Sequence, residues 1–149
     1  MPARPNAMFF GRKKRRIEKL LVVEDEPLVA FDNEHVLTEA GYTIVATTDR
    51  VSDAVECIAS GKSIDLVLVD VNLTDGTGLD VARAAFARAI PALFVTGNCP
   101  PEAQAFAAGC LDKPYRQRDL LAAIEAVEAS ADGRSPKRMP AGLRLFERV

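Results

Sequence analysis

The strongest constraint on this chain is an alternation. Short, β-rich apolar runs are separated by longer segments of helical periodicity, five times between residues 20 and 131. That pattern belongs to βα units wound around a parallel sheet. Leu20-Leu21-Val22-Val23 is a continuous apolar run, as expected of a strand covered on both faces. Pro27 then stands at a first helical position, Val29, Val36, Leu37 and Ala40 share a helical face, and Gly41 is a stop signal. Tyr42-Thr43-Ile44-Val45 reads as the second strand, with Ser52 capping a helix through Val55, Ile58 and Ala59 that ends near Gly61. Ile64 to Val69 is the third strand, and its helix starts near Gly78 and carries Leu79, Val81, Ala82 and Phe86. Pro91 to Val95 is the fourth strand, with proline at the first residue, where no ladder bond is lost. A short helix from Pro100 or Pro101 to Ala108 leads to a fifth strand around Cys110 to Asp112. The last helix has Leu120, Leu121, Ile124 and Val127 at helical spacing. The expected architecture is a single α/β domain, a (βα)5 doubly wound fold with a five-stranded parallel sheet.

A length of 149 residues with 48% hydrophobic residues suits one such domain with a real core. The net charge of −2 conceals a division: residues 1 to 19 carry +6, residues 20 to 131 carry −11, and residues 132 to 149 carry +3. The basic ends also hold proline, glycine and serine, so residues 1 to 17 are expected as a flexible leader and 131 to 149 as a flexible tail. Within that tail, Leu143, Leu145 and Phe146 are a candidate docking segment. Three cysteines without C-x-x-C spacing exclude a disulfide framework and a thiol metal site, which makes a reduced, cytoplasmic setting the default. No apolar run is long enough for a membrane span. The order of charge and apolar residues at the amino end is wrong for a secretory signal.

In an open parallel α/β sheet, ligands bind beyond the carboxyl ends of the strands. Here Glu24 and Asp25, with Glu26 beside them, follow the first strand, and Asp70 follows the third. Thr96 stands after the fourth and Lys113 after the fifth. Any one of these acids alone reads as ordinary loop chemistry. Their joint placement at one edge of the sheet is what points to a site. Converging carboxylates repel one another unless a cation sits among them, and all-oxygen ligation suits Mg²⁺. Asp70 has the chemistry of an aspartyl nucleophile, while Thr96 and Lys113 supply a hydroxyl and a positive charge for phosphate oxygens. The set reads as a phosphoryl-transfer site.

With these residues in place, the chain resembles a response-regulator receiver domain of two-component signalling, a CheY-like, flavodoxin-like fold. The resemblance covers about residues 18 to 130 and rests on Leu21-Val22-Val23-Glu24-Asp25-Glu26-Pro27, Leu68-Val69-Asp70-Val71-Asn72-Leu73, Val95-Thr96-Gly97 and Lys113-Pro114-Tyr115, in the family's order. It implies Asp70 as phosphoacceptor from a phosphohistidine on a sensor histidine kinase or a histidine phosphotransfer protein. It also implies Mg²⁺ held by Asp25, Asp70 and the carbonyl of Asn72, with Glu24 acting mainly through a water. Thr96 would be the switch hydroxyl, Lys113 its ionic partner, and Lys113-Pro114 a cis bond. The implied role is a single-domain regulator that signals through protein contacts. It would have no DNA-binding output domain, no membrane association and no separate substrate turnover.

Three departures from the family pattern stand out. Cys110 occupies the place three residues before the lysine where an aromatic switch residue is usual. Thr74 replaces a common proline, which implies a looser Asp75-Gly76-Thr77-Gly78 loop. Phe94-Val95-Thr96-Gly97 resembles the Phe-Ala-Thr-Gly-Gly-Tyr signature of an alphaproteobacterial, often stand-alone, receiver subgroup, with Asn98 and Cys99 in place of its Gly and Tyr. Two other readings remain: a phosphorylation-independent pseudo-receiver, motivated by Cys110 and Thr74, and a haloacid-dehalogenase-like phosphatase, disfavoured because Asn72 stands where that class needs a second aspartate. His35, the only histidine, reads as a helical surface or half-buried residue and Cys57 as packing. The Arg12 to Arg16 run reads as solvated.

Overall fold

The computed structural model describes residues 16–146. Strand β1 (Lys19–Val23) is followed by α1 (Pro27–Glu39), β2 (Thr43–Thr48), α2 (Val51–Ala59) and β3 (Leu66–Val69). A small hairpin, β4 (Asn72–Leu73) with β5 (Gly76–Thr77), leads into α3 (Gly78–Ala87). Then come β6 (Ala92–Thr96), α4 (Ala103–Phe106), β7 (Gly109–Asp112), α5 (Gln117–Ala131) and β8 (Leu143–Leu145).

The main sheet has the order β2-β1-β3-β6-β7-β8. Its first five strands are parallel, as the alternation requires, and β8 joins β7 antiparallel. Successive side chains on a strand point to opposite faces, so each continuous apolar run feeds two cores. Leu20, Val22, Leu66, Leu68, Leu93, Val95 and Leu111 pack with Leu37 of α1 and Leu120, Ile124 and Val127 of α5. Leu21, Val23, Val67, Val69, Phe94 and Cys110 pack with Ala54 and Ile58 of α2, and with Val81, Ala82 and Ala85 of α3. Each fully buried Leu, Val or Phe contributes roughly 1.5–3 kcal/mol through removal from water.

Several details differ from the expectations. The tail is not uniformly loose: the candidate docking segment does dock, with Leu143, 6% exposed, and Leu145 in the sixth strand. Two observations explain the docking. β7 would otherwise present an unpaired edge, and Gly109 has no side chain to obstruct Arg144. A Cβ there would lie 2.6 Å from the Arg144 carbonyl oxygen. The expected leader lies outside the described residues apart from Arg16, which pairs with Asp132, and Ile17, which is buried. α4 covers only four residues, shorter than the proline-led stretch suggests.

Ser52 lies inside α2 and does not cap it. The carboxylate of Asp75 instead accepts from the backbone N–H groups of Val51 and Ser52. Those bonds outweigh the upward push of desolvation and hold the Asp75 carboxyl below its ordinary range. The loop after β3 is therefore tied down: Thr74 donates backbone N–H and hydroxyl to Asp49 at 3.1 and 3.3 Å, and Thr77 caps α3 by accepting from Leu79 N. Hydrogen bonds across to α2 replace the rigidity a proline would supply.

On α1 the buried face runs through Ala30, Asn33 and Leu37, while Val29 and Val36 are half-buried. Asn33 was not signalled by the apolar periodicity, and it accepts from the Tyr115 hydroxyl at 2.9 Å. His35 is exposed and Cys57 half-buried. Among the described residues, no helix is long and apolar enough to cross a membrane.

Candidate phosphoacceptor site

The acidic residues are brought together by backbone bonds that continue the ladders past the strand ends. The Asp70 N–H donates to Val23 O at 3.0 Å and the Glu24 N–H to Thr48 O at 2.9 Å. Asp70 is thereby fixed beside the Glu24-Asp25 pair, in the crevice between β1 and β3 where the winding reverses direction. Beyond β6 and β7, the Lys113 N–H donates to Thr96 O at 2.9 Å, and the Lys113-Pro114 bond is cis.

Carboxylate oxygens of Glu24, Asp25 and Asp70 all lie within 4.8 Å of one another. Lys113 Nζ reaches into this group, 2.8 Å from Asp70 Oδ2, 2.9 Å from Glu26 Oε1 and 3.1 Å from Glu24 Oε1. Glu26, noted in the sequence only as a neighbour, is thus a fourth member of the charged cluster. Glu24 and Asp70 are buried and Asp25 is half-buried. Glu26 is exposed, and one ammonium does not balance the two buried carboxylates and the half-buried Asp25.

Two groups register the imbalance. Desolvation pushes the Glu24 carboxyl up to about 7, and the nearby Asp70 charge adds to it, against the pull of the Glu26 N–H and Lys113. Lys113 is held above its ordinary value, because its bonds to Asp70, Glu26 and Glu24 outweigh its own desolvation.

A divalent cation fits this donor set. Glu24 Oε1 is buried and makes no hydrogen bond of acceptable geometry, although Lys113 Nζ is close enough for an ion pair. Such an orphaned oxygen in an all-oxygen cluster is what a hard cation relieves.

The remaining expected residues sit around this centre. Asp70 Oδ1 accepts from Val71 N at 2.6 Å, leaving Oδ2 on Lys113. Thr96 is buried at the end of β6, and its hydroxyl oxygen accepts from Asn98 N at 3.4 Å within its own loop. Asn72 lies in the hairpin with its side chain exposed. Cys110 faces the core of α2 and α3, away from the charged cluster.

Gly78 is expected only as the start of the third helix, and its close packing under Asp70 carries no sequence signal. A Cβ at this first residue of α3 would lie 2.0 Å from the Asp70 carbonyl oxygen and 2.9 Å from Val69. Its N–H donates to Val71 O at 2.6 Å. The helix can start against the back of Asp70 only because residue 78 has no side chain.

Comparison with known proteins agrees with this geometry. The family described as "Response regulator receiver domain" matches residues 20–125. The phyllosphere-induced regulator PhyR of Methylorubrum extorquens is 30% identical over 116 residues, covering 71% of this chain and 42% of that protein. The transcriptional regulatory protein PdtaR of Mycobacterium tuberculosis is 34% identical over 113 residues, covering 72% and 55%. The chain therefore spans about half the length of the curated relatives it matches. Among solved structures, a response regulator receiver protein from Sinorhizobium medicae superposes with a TM-score of 0.67 at 25% identity, covering 77% of this chain and 97% of that one. The chemotaxis response regulator CheY4 of Vibrio cholerae gives 0.64 at 27% identity, covering 74% and 98%.

Proposed function

Because the chain belongs to the response regulator receiver domain family, we propose that it takes a phosphoryl group onto Asp70 from a phosphohistidine on a histidine kinase or histidine phosphotransfer protein, with Mg²⁺ held in the acidic pocket. The observation that carries this reading is the convergence of Glu24, Asp25 and Asp70 on one point, with Lys113 Nζ 2.8 Å from Asp70 Oδ2. Receiver domains are phosphoacceptors of two-component signalling and not enzymes with an independent substrate. The cytoplasm is the matching compartment, since kinase and regulator must meet there.

Asp70 is the nucleophile. A carboxylate oxygen attacks phosphorus in line, the P–N bond of the phosphohistidine breaks, and the imidazole leaves with the electron pair. The Val71 N–H orients the carboxylate through Oδ1. The Lys113 ammonium stands beside Oδ2 and offsets the charge carried in by the phosphoryl oxygens. Glu24, Asp25, Asp70 and the Asn72 carbonyl would hold Mg²⁺, which when bound neutralises charge on the transferring group. Thr96 would become a phosphate ligand by giving up its bond from the Asn98 N–H. With Cys110 buried where an aromatic is usual, that movement proceeds without a swinging ring.

Partner docking is served by the first turns of α1, which leave the pocket edge carrying Leu28, 79% exposed, and Phe31, 67% exposed. Exposed apolar side chains beside a reactive group suit a contact that forms and dissolves.

The test is NMR of the full chain with Mg²⁺ and beryllofluoride, which mimics an aspartyl phosphate. Thr96, Gly97 and Lys113 should shift, and Asp70→Asn should abolish both the shifts and phosphoryl uptake from a phosphohistidine donor. An unchanged wild-type spectrum would leave the phosphorylation-independent interaction module as the reading.

A further inference from the structure

One groove takes no part in the phosphoryl chemistry. It measures about 780 Å³ and lies among α3, α4, α5 and the end of β8, and Ser130 is the sole polar residue of its lining. Ile90 and Pro91 lead into β6, and Val127 and Ala131 belong to the end of α5, so the groove sits at the amino-terminal edge of the parallel strands. The acidic pocket is at the opposite edge. Three phenylalanines mark the groove: Phe86 of α3, 49% exposed, with Phe106 of α4 and Phe146, both half-buried. The rings of Phe86 and Phe106 meet edge to face with centroids 5.9 Å apart, and the Arg83 guanidinium stands 4.9 Å from the centre of the Phe106 ring. A recess walled by aromatic rings at the surface suits further aromatic side chains.

The place where the described chain begins names a candidate occupant. Arg16 pairs with Asp132, and the Ile17 N–H donates to Glu128 Oε1 at 3.2 Å, so the chain enters the fold against the last turn of α5. Val127 and Ala131 of that same turn line the groove. Upstream of Arg16 the sequence runs Met8-Phe9-Phe10-Gly11 and then Arg12-Lys13-Lys14-Arg15. The stretch from Phe10 to Arg16 spans roughly 20 Å when extended. Passing halfway round a helix about 10–12 Å across takes less than that.

The charges agree with this path. α5 has no basic residue in its last turn, which holds Glu128 and is followed by Asp132. The carboxyl end of a helix carries partial negative charge, so Arg12 to Arg15 gain by lying beside it, as Arg16 does.

We propose that Phe9 and Phe10 dock in this groove, with the Arg12 to Arg15 run laid across the carboxyl end of α5. The segment is tethered to the domain at Arg16, so its docking is intramolecular, at an effective concentration on the order of mM, and needs no second molecule. Docked there, it joins α4 to α5 and covers the rings of Phe86 and Phe106. The inference is independent of the phosphoacceptor reading.

The chain contains no tryptophan, so Phe10→Trp in the full chain places a single reporter in the segment. Its emission should be blue-shifted and several-fold less quenched by acrylamide than a solvated indole. Adding Phe86→Glu, on a side chain exposed enough to change without unfolding the domain, should restore solvated emission while circular dichroism and the urea midpoint stay close to those of Phe10→Trp alone. Solvated emission in Phe10→Trp, or shielding that survives Phe86→Glu, would overturn the proposal. Shielding that appears only as protein concentration rises, with a dimer in light scattering, would also overturn it and give the groove to a second copy. Because indole is larger than phenyl, a second measurement starts from the native segment. The double variant Phe9→Ser, Phe10→Ser should shift the NMR signals of Ala89, Ile90 and Ala131 from their wild-type positions. Identical spectra, or shifts confined to the acidic pocket, count against docking in the groove.

Discussion

The pocket at the ends of β1 and β3 and the edge where β8 joins β7 are built on opposite principles. In the pocket, identity decides everything: the charged groups of Glu24 and Asp70 each lie within about 3 Å of Lys113 Nζ, at a cost in buried charge. At the edge, identity matters little. β8 is held by backbone pairing, by two leucines, and by the room left over at Gly109. The pocket is specified by what its side chains carry, and the edge by where a side chain is missing. Gly78 complicates the division, because the pocket too depends on a missing side chain, and the glycines offer the sharpest ways to probe it.

The largest effect is expected from Gly78→Ala. A Cβ 2.0 Å from the Asp70 carbonyl oxygen meets backbone, with a Val69 methyl at 2.9 Å beside it, so either α3 or the Asp70 strand end must shift. Overpacking of this kind destabilises by about 1–3 kcal/mol and occasionally more, and backbone that cannot yield places this case at the upper end. Urea denaturation should show that loss, and the residual folded protein should bind Mg²⁺ weakly because Asp70 has moved. A variant with wild-type stability and Mg²⁺ affinity would show that the close approach is not needed.

A smaller effect is expected from Gly109→Ala. Its Cβ would meet the Arg144 carbonyl oxygen at 2.6 Å, and the three-residue β8 can leave where a core helix cannot. Amide exchange at Leu143 to Phe146 should accelerate, and stability should fall by about 1–2 kcal/mol, the value of one partly lost apolar strand. Mg²⁺ binding should survive. Its loss would mean that the edge and the pocket are coupled through Asp112, whose N–H donates to Gly142 O at 3.0 Å next to Lys113.

The same contrast explains what was legible in the sequence. Leu20 to Val23, Ile64 to Val69 and Phe94-Val95 are apolar on both faces and announce central parallel strands, and the polar residues that follow them mark the pocket edge. Chemistry at strand ends shows through local pattern. β8 shows only as a docking segment of Leu143, Leu145 and Phe146, and its strand character and its partner β7 stay hidden, because Leu143-Arg144-Leu145 is too short for periodicity and follows a proline- and glycine-rich stretch. Capping of α2 by Asp75 is equally silent, since the carboxylate arrives from 23 or 24 residues away and Ser52 is locally the better cap. Asn33 escaped notice because a buried asparagine breaks the apolar stripe, and its justification, the Tyr115 hydroxyl, lies 82 positions along the chain. Contacts made by space or by distant partners leave no pattern to read.

The last test isolates the pocket's charge. Because burial lifts Glu24 from 4.5 to about 7, the folded protein binds that proton more tightly than the unfolded chain does. The stability this confers is full below pH 4.5, is lost as pH rises toward about 7, and changes no further above it. The raised Lys113 and the lowered Asp75 and Asp132 titrate outside this window, so they do not obscure it. Metal-free protein should therefore lose on the order of 1–3 kcal/mol across the window. Mg²⁺ competes with the proton for the same carboxylate, so its stabilising effect should grow over the same pH range and offset the decline. Glu24→Gln keeps the shape and removes the titration. It should flatten the metal-free profile while leaving little for Mg²⁺ to add. Parallel profiles for wild type and Glu24→Gln, measured by thermal denaturation in chelator, would locate the buried charge elsewhere in the cluster and make Lys113 the sole counterion that Glu24 needs.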